Sequence, residues 1–292
     1  MWCNTTGGHN TASGASALAA NTTGSYNTAT GRYALCSNTT GNNNTAIGYC
    51  SLFSNTSGCY NLTSGSYALY TNTTGTFNTA TGYQSLYCNT TASYNTAVGA
   101  CTLFANTTGA QNTAVGYQTL RANTCGNRNI GIGHGVLYGN STGCNNVGIG
   151  YIALRCSTTA SNNTASGYYA LKNTTTGCSN TATGMCALAE NTTGCRNEAF
   201  GGWSLQNNTT GSRNQAIGYN ALGANTTGCD NIAVGYNALV SNMTGHCNIA
   251  IGRQSLASNT TASYNTAYGA CTLYANTTGG YNTAVGACTL VA

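Results

Sequence analysis

The sequence predicts an all-β chain that folds as a parallel β-solenoid or β-roll of about seventeen 17-residue coils. Three observations predict this class. The unit N-T-A-x-G-x-x-A-L-x-x-N-T-T-G-x-x recurs without interruption from Asn10, Asn27 and Asn44 to Asn282, only 4% of residues are charged, and proline is absent. A fixed short period indicates stacked coils, and this unit is too short for a helix-turn-helix repeat. We number each unit from its first Asn, which is position 1.

Each part of the unit has an expected place in the coil. We expect a strand at positions 1–4, a bend at the Gly of position 5, a second strand near positions 7–10 and a polar Asn-Thr-Thr-Gly corner. At the ~4.8 Å spacing of neighbouring strands, seventeen coils would form a rod about 80 Å long. No linker interrupts the series, so residues 1–292 are predicted to form a single repeat domain without separate caps.

Comparison of the copies separates the positions that specify the coil from those that vary. Position 1 is Asn, position 5 is Gly and position 9 is Leu in every full unit, and position 3 is Ala except at Thr63, Gly131 and Gly148. The Gly predicts positive φ or a close backbone approach, the Leu a core, and the Ala a thin interior. We expect the Asn side chains of positions 1 and 12 to bond the turn backbone and to form ladders from coil to coil.

Two orientations of the first strand fit the pattern. Positions 2 and 4 accept Glu198, Gln215, Phe200 and Tyr268, which favours an exposed face there and an interior made of positions 1, 3 and 5. In the opposite orientation, the β-branched residues of positions 2 and 4 would form the core. A shift of one residue exchanges the two faces, so the period alone does not choose between them.

Aromatic residues concentrate at positions 6, 10 and 17, which would become stripes along the solenoid. Either the rings pack on those of neighbouring coils, or the stripes form a lateral or carbohydrate-contacting surface.

The repeat resembles the Asn-Thr-Ala-x-Gly and Ala-Leu repeats of tail-fibre-like proteins of phages and large viruses. More loosely, it is similar to the head repeats of trimeric autotransporter adhesins, in which Ala-Ile-Gly strands build a left-handed β-roll that trimerises. Residues 44–48 (Asn-Thr-Ala-Ile-Gly) and 233–235 (Ala-Val-Gly) carry the likeness. The adhesin unit is shorter and lacks the Asn-Thr-Thr-Gly corner, so the resemblance implies no functional residue.

Residues with catalytic chemistry are few and scattered among the units. They are Glu190, Glu198, Asp230, His9, His134 and His246. An enzyme needs a converging set of such groups, so we expect no enzymatic activity, no cofactor and no metal site. The glycine-rich stretch at residues 131–135 has no helix after it, and we interpret it as part of the repeat rather than as a phosphate loop.

The seven Arg and one Lys form no basic run, which excludes most nucleic-acid-binding classes. The chain has no apolar segment of 18 residues that would predict a membrane span, and its first residues lack the pattern of a secretory signal.

Sixteen cysteines are present without a Cys-x-x-Cys pair, which excludes zinc-ribbon and redox-motif classes. Cys178 with Cys195, and Cys271 with Cys288, occupy the same position of adjacent coils, at a spacing that permits a disulfide. Either bridges form at these pairs, or Cys is simply another small residue in half-buried places.

Asn-Thr-Thr is also an acceptor sequence for N-glycosylation, which would place glycans in a row along one edge. The alternative is a turn in which the Asn side chain caps the corner, and both interpretations remain open. The candidate acceptors are Asn4, Asn21, Asn38, Asn55, Asn72, Asn89, Asn106, Asn140, Asn191, Asn208, Asn225, Asn242, Asn259 and Asn276.

These patterns favour a non-catalytic structural protein of an extracellular filament, appendage or fibre at a cell or virion surface. Its expected partners are other copies of itself and glycans. The array runs from Met1 to Ala292 without an atypical terminal unit, which predicts either head-to-tail stacking as well as lateral assembly, or a fragment of a longer fibre. One alternative is an ice-binding solenoid using Thr rows such as those at residues 28–30 and 181–183, and another is a carbohydrate-binding adhesin using the Tyr stripes.

Overall fold

The computed structural model describes residues 2–290, which fold into stacked parallel coils, as predicted. The chain divides into two units, residues 1–145 and 146–292. The strands of the first unit are Thr11–Ser13 (β1), Thr28–Thr30 (β2), Thr45–Ile47 (β3), Leu62–Ser64 (β4), Thr79–Thr81 (β5), Thr96–Val98 (β6), Thr113–Val115 (β7) and Ile130–His134 (β8). Those of the second are Val147–Tyr151 (β9), Thr164–Ser166 (β10), Thr181–Thr183 (β11), Glu198–Phe200 (β12), Gln215–Ile217 (β13), Ile232–Val234 (β14), Ile249–Ile251 (β15), Thr266–Tyr268 (β16) and Thr283–Val285 (β17).

Within each unit, neighbouring strands pair in parallel with a register of one repeat. Thr28 lies opposite Thr45, and Ala29 lies opposite Ala46. The prediction of a single domain concerns the relation between the two units and stays a prediction. The predicted head-to-tail stacking of copies involves the chain ends Met1 and Ala292, which lie outside the described residues. It also stays a prediction.

Each coil contains one short strand, so the second strand expected near positions 7–10 is wrong. Positions 7–11 form turns because the residues at positions 7 and 9 have positive φ, as at Cys50 (52°) and Leu52 (52°), which a strand does not allow. Hydrogen bonds between coils continue through these turns. Leu35 N donates to Ser51 O of the next coil at 3.0 Å, and Tyr33 N donates to Ala15 O of the preceding coil at 2.9 Å.

The glycine of position 5 is required for two reasons, both expected from its invariance. Gly201 has a φ of 133°, and a Cβ added to it would lie 2.6 Å from Gly218 O in the next coil. The adjacent Gly202, at position 6, differs because a Cβ there would meet Tyr219 Cδ2 at 3.6 Å, an ordinary contact. Backbone conformation and close approach therefore both exclude a side chain at position 5.

The interior is thin and apolar, with Leu at position 9 facing small residues at positions 3 and 8. Ala29, Ala34 and Leu35 have no exposed surface. In β3, the middle residue Ala46 is buried whereas Ile47 is exposed. Position 3 therefore points inward, as the favoured orientation predicted, and the opposite orientation with positions 2 and 4 in the core is wrong.

Two of the three residues that replace Ala at position 3, Thr63 and Gly131, can be understood from the side chain that faces them from position 8. The hydroxyl of Thr63 lies 2.6 Å from the hydroxyl of Ser51, so the extra polar group has a partner inside the coil. At Gly131, an added Cβ would lie 2.5 Å from Thr119 Cγ2, so the Thr119 side chain occupies the space that this glycine leaves. At these two coils, the residue at position 3 therefore suits the side chain that faces it from position 8.

Two ladders of buried Asn side chains hold the polar corner, as predicted. Asn44 Nδ2 at position 1 and Asn55 Nδ2 at position 12 both donate to Gly58 O, at 2.8 Å and 2.9 Å. Between coils, Asn55 Nδ2 also donates to Asn38 Oδ1 at 2.8 Å, and Asn61 N donates to Asn44 Oδ1 at 3.0 Å. These bonds compensate for the loss of hydration on burial.

Candidate interaction surfaces

A row of stacked side chains, which we call the aromatic ladder, follows position 10 of the first unit. It consists of Phe53, Tyr70, Tyr87, Phe104, Arg121 and Tyr138. Successive ring centroids among its first four members are 5.2, 5.2 and 5.3 Å apart. Arg121 Cζ lies 5.4 Å from the Phe104 ring centroid, and its Nη1 donates to Tyr138 Oη at 3.1 Å. The parallel register places one ring per coil, which confirms the expected packing of rings on neighbouring coils.

A second aromatic row, the tyrosine ridge, follows position 6 of the first unit and is more exposed. It alternates large and small residues in the order Tyr49, Ser66, Tyr83, Ala100 and Tyr117. The three tyrosines are 40%, 52% and 47% exposed.

The two intervals of the tyrosine ridge differ. Between Tyr49 and Tyr83, the ring of Tyr67 packs edge-on against both, with centroids 5.2 Å and 6.4 Å away. Between Tyr83 and Tyr117, at Ala100, no aromatic ring of residues 2–290 occupies the interval. The ridge therefore has protruding tyrosine rings, which we call knobs, and one unfilled gap at Ala100 between Tyr83 and Tyr117.

Sequence reasoning missed the role of position 16, whose side chain in most coils accepts the backbone N–H of position 16 in the preceding coil. Thr76 N donates to Ser93 Oγ at 3.0 Å, and Ala110 N donates to Asn127 Oδ1 at 2.7 Å. At Cys229 the acceptor is a sulfur atom, because Ser212 N donates to Cys229 Sγ at 3.3 Å. The signal was in the sequence, because Ser, Thr, Asn, His and Cys all carry a hydrogen-bond acceptor and together dominate this position.

The two cysteine pairs predicted as candidate disulfides differ in the structure. Cys178 Sγ and Cys195 Sγ lie 3.1 Å apart, and the hydrogen bond with Cys195, followed by burial, raises the pKa of the Cys178 thiol. No contact between the sulfurs joins Cys271 and Cys288 in the described part of the chain, and Cys271 Sγ instead lies 3.9 Å from Gln254 Oε1. All sixteen cysteines are free thiols in the structure, so both bridges stay predictions.

The candidate glycosylation residues form the position-12 ladder. Twelve of the fourteen have no exposed surface, whereas Asn4 is exposed and Asn276 is half-buried. A glycan on Nδ2 would replace one of its two N–H groups and would need space that the ladder does not leave. The turn role of these amides is confirmed, and glycosylation stays a prediction that their burial opposes in the folded coil.

The charged side chains and His246 make a few separate polar contacts. Arg213 Nε donates to Asp230 Oδ1 at 2.6 Å, and this bond lowers the pKa of the carboxyl. Glu190 Oε2 accepts a hydrogen bond from Asn173 Nδ2, and His246 Nδ1 accepts one from Cys229 N. Within residues 2–290, no three His, Cys, Asp or Glu side chains come together in a way that would hold a metal ion.

The strand face carries the Thr rows on which the ice-binding alternative depends. Thr28 and Thr30 both lie on the outward side of β2, but Ile47 is the partner of Thr30 in the next coil. In the second unit, Glu198 and Phe200 are the partners of Thr181 and Thr183. At position 2, Thr continues over no more than three successive coils, so the rows are short, and ice binding stays an untested expectation.

Among the described residues, no helix is both long and apolar enough to cross a membrane. No protein-family model matches this chain, and a comparison with curated proteins likewise finds no match.

Proposed function

We propose that this protein is a non-catalytic structural scaffold that assembles laterally with a second copy of itself through the tyrosine ridge. The observation that carries the proposal is the alternation of exposed tyrosines with Ser66 and Ala100 along position 6. An extracellular filament or fibre at a cell or virion surface belongs to the same proposal and rests on the resemblance of the repeat to fibre and adhesin repeats.

The spacing of the ridge suits a ring from another copy. Tyr83 and Tyr117 are two coils apart, which corresponds to about 9.6 Å at the spacing of parallel strands. A ring inserted halfway would lie about 4.8 Å from each neighbour, within the ~4.5–7 Å range of favourable aromatic pairs. Because the same row supplies both knobs and gap, two copies related by a two-fold axis would interlock in a self-complementary interface.

Charge opposes this association only weakly. The first unit contains Arg32, Arg121 and Arg128 and no Asp or Glu. Repulsion between so few cations is screened over about 8 Å at physiological salt. Burial of apolar ring surface contributes roughly 25 cal/mol per Å², so several interlocked tyrosines outweigh that repulsion.

Sedimentation velocity over a range of concentrations tests the proposal. We expect the wild type to form dimers or larger species, and the Tyr83→Ala/Tyr117→Ala double variant to remain monomeric because it has lost the knobs. Ala100→Tyr should also weaken association, since the new ring fills the gap. Position 6 carries Ala, Ser, Gly, Arg and Tyr in other coils, so these substitutions are compatible with the coil.

The matched control is Ala270→Tyr, the same substitution at position 6 of the second unit, which should leave association unchanged. Circular dichroism checks that each variant is folded. A wild type that stays monomeric at all concentrations, or a double variant that associates as strongly as the wild type, would overturn the proposal.

A further inference from the structure

A groove of about 580 Å³ lies on the first unit beside Ala110, on a different part of the coil from the tyrosine ridge. Ala110 occupies position 16, where every residue between Gly8 and Gly280 except this alanine has an oxygen, nitrogen or sulfur acceptor in its side chain. The groove volume is within the ~300–1,000 Å³ typical of ligand sites. The cavity therefore coincides with the one internal residue of this row whose side chain has no acceptor atom.

Ala110 leaves a backbone donor without its usual acceptor. In the coils on either side, Thr76 N donates to Ser93 Oγ and Ala110 N donates to Asn127 Oδ1. Ser93 N itself has no hydrogen-bond acceptor among residues 2–290, because Ala110 has only a methyl group to offer. Ser93 lines the groove, so its N–H is a donor available to a ligand.

An aromatic ring also lines the groove. Tyr60, Phe77 and Tyr94 stack at position 17 with centroids 4.8 Å and 5.2 Å apart, and the next residue in this row is Gln111. Tyr94 ends the stack with 58% of its surface exposed, and no second ring of the described residues packs on it. A ring face carries partial negative charge, which attracts the C–H groups of an apolar sugar face.

Arg128 supplies a positive charge at the same groove. Its Nε donates to Gln111 Oε1 at 3.1 Å, which holds the side chain while its terminal nitrogens make no other hydrogen bond within residues 2–290. Residues 1–145 contain no Asp or Glu, so no carboxylate of this unit competes for the guanidinium. A guanidinium binds carboxylate and sulfate groups through charge-assisted hydrogen bonds.

From these three features we propose that the groove binds an acidic sugar. The anionic group would contact Arg128 and the Ser93 N–H, and the apolar face of the sugar ring would lie on Tyr94. The proposal concerns a ligand site and does not depend on self-assembly.

Titration of the full chain with glucuronate, with glucose as the neutral counterpart, tests the site by calorimetry or ligand-observed NMR. We expect glucuronate to bind more tightly than glucose. Arg128→Gln should weaken glucuronate binding about tenfold, the equivalent of one lost charge-assisted bond of roughly 1.4 kcal/mol, and should leave glucose unaffected. Arg32→Gln removes the same charge from the same unit outside the groove and should leave binding unchanged.

Ala110→Ser is the sharpest variant, because it introduces the residue found at Ser25, Ser93 and Ser212 and should restore the missing cap. It should fold at least as stably as the wild type and bind glucuronate at least about tenfold more weakly. Equal binding of glucose and glucuronate, unchanged binding by Ala110→Ser, or no binding of glucuronate would each overturn the proposal. Sedimentation of the Ala110→Ser variant should match the wild type, so failure of this site is distinct from failure of lateral assembly.

Discussion

Asn38 Nδ2 donates to Asn21 Oδ1 at 2.8 Å and to Gly41 O of its own corner at 3.0 Å. One buried amide therefore fixes both the conformation of the corner and the register between two coils. Asp offers the same shape but has no N–H donors, so it cannot replace Asn in this role. Thr174, which replaces Asn at position 12, accepts from Asn191 Nδ2 only at 3.5 Å.

The ladder predicts a large and pH-dependent effect of Asn89→Asp. Asn89 Nδ2 donates to Asn72 Oδ1 at 2.8 Å and to Ala92 O at 3.0 Å, so a carboxylate there would face two acceptors in a buried site. We expect a loss of roughly 3–5 kcal/mol in the free energy of unfolding at pH 7. Burial favours the protonated acid and raises its folded-state pKa, so stability should recover as the pH falls.

Urea denaturation at pH 7 and pH 4 measures this effect. Thr91→Asp places the same charge two residues away at an exposed site and should change stability by no more than about 0.5 kcal/mol. Equal effects of the two substitutions would contradict the buried ladder.

Adjacent glycines provide a test of the close approach at position 5. Gly201→Ala should destabilise the second unit by roughly 3 kcal/mol or more, since its Cβ would overlap Gly218 O and its φ of 133° is unfavourable for alanine. Gly202→Ala should be within about 1 kcal/mol of the wild type or slightly stabilising. Thermal unfolding of the two variants measures the difference, and equal midpoints would contradict the packing of position 5.

Cys178 and Cys195 should form a disulfide when the protein is treated with glutathione disulfide. Their two thiols lose two protons and two electrons, and glutathione disulfide is reduced to two molecules of glutathione. The bridge closes a loop of 17 residues and should stabilise the second unit by about 3 kcal/mol. The reaction should accelerate above pH 8, because the raised pKa of the Cys178 thiol reduces its thiolate fraction near neutrality.

Peptide mapping after alkylation identifies the bridge. Cys195→Ser preserves an acceptor for Cys178 N and should abolish this cross-link. A bridge between Cys271 and Cys288 that forms faster than one between Cys178 and Cys195 would contradict the observed geometry.

The one ion pair among the described residues, Arg213 with Asp230, is exposed, so it should contribute only slightly to the pH dependence of stability. The lowered pKa of Asp230 contributes stability above the ordinary carboxyl pKa of about 3.9, and this small contribution is lost as the pH falls through the folded-state value. Burial raises the pKa of Cys36, Cys88 and Cys186. Their contribution is present below about pH 8.5 and is lost as the pH rises.

Thermal denaturation at fixed ionic strength with a reducing agent measures the profile. Asp230→Asn should remove the decrease at low pH and leave the alkaline limb unchanged. An acid limb that Asp230→Asn leaves unchanged would contradict the expectation.

The candidate sites were less predictable than the fold. The 16th position contains Cys178, Ser93 and Asn127, residues that share hydrogen-bond acceptors but not size or charge, so a search for catalytic or metal-binding patterns overlooks them. The groove at Ala110 becomes visible only when this capping role is known. The contrast between the two cysteine pairs depends on side-chain rotamers, which the register alone does not specify.

The sequence by itself determined the period, the parallel register, the core Leu of position 9, the invariant Gly of position 5 and the two Asn ladders. These features follow from a repeat in which each residue meets its own copy one coil away, so a single unit contains the information for the stack. The tertiary structure alone decided three points: the strand covers only positions 2–4 except in β8 and β9, the Ala of position 3 faces inward, and the Asn of position 12 is buried in the folded coil rather than open to a glycan. The physical reason is that closure of the coil sets two things: the positive φ at positions 7 and 9, and the direction in which each side chain points. The alternation of residue types along the sequence encodes neither.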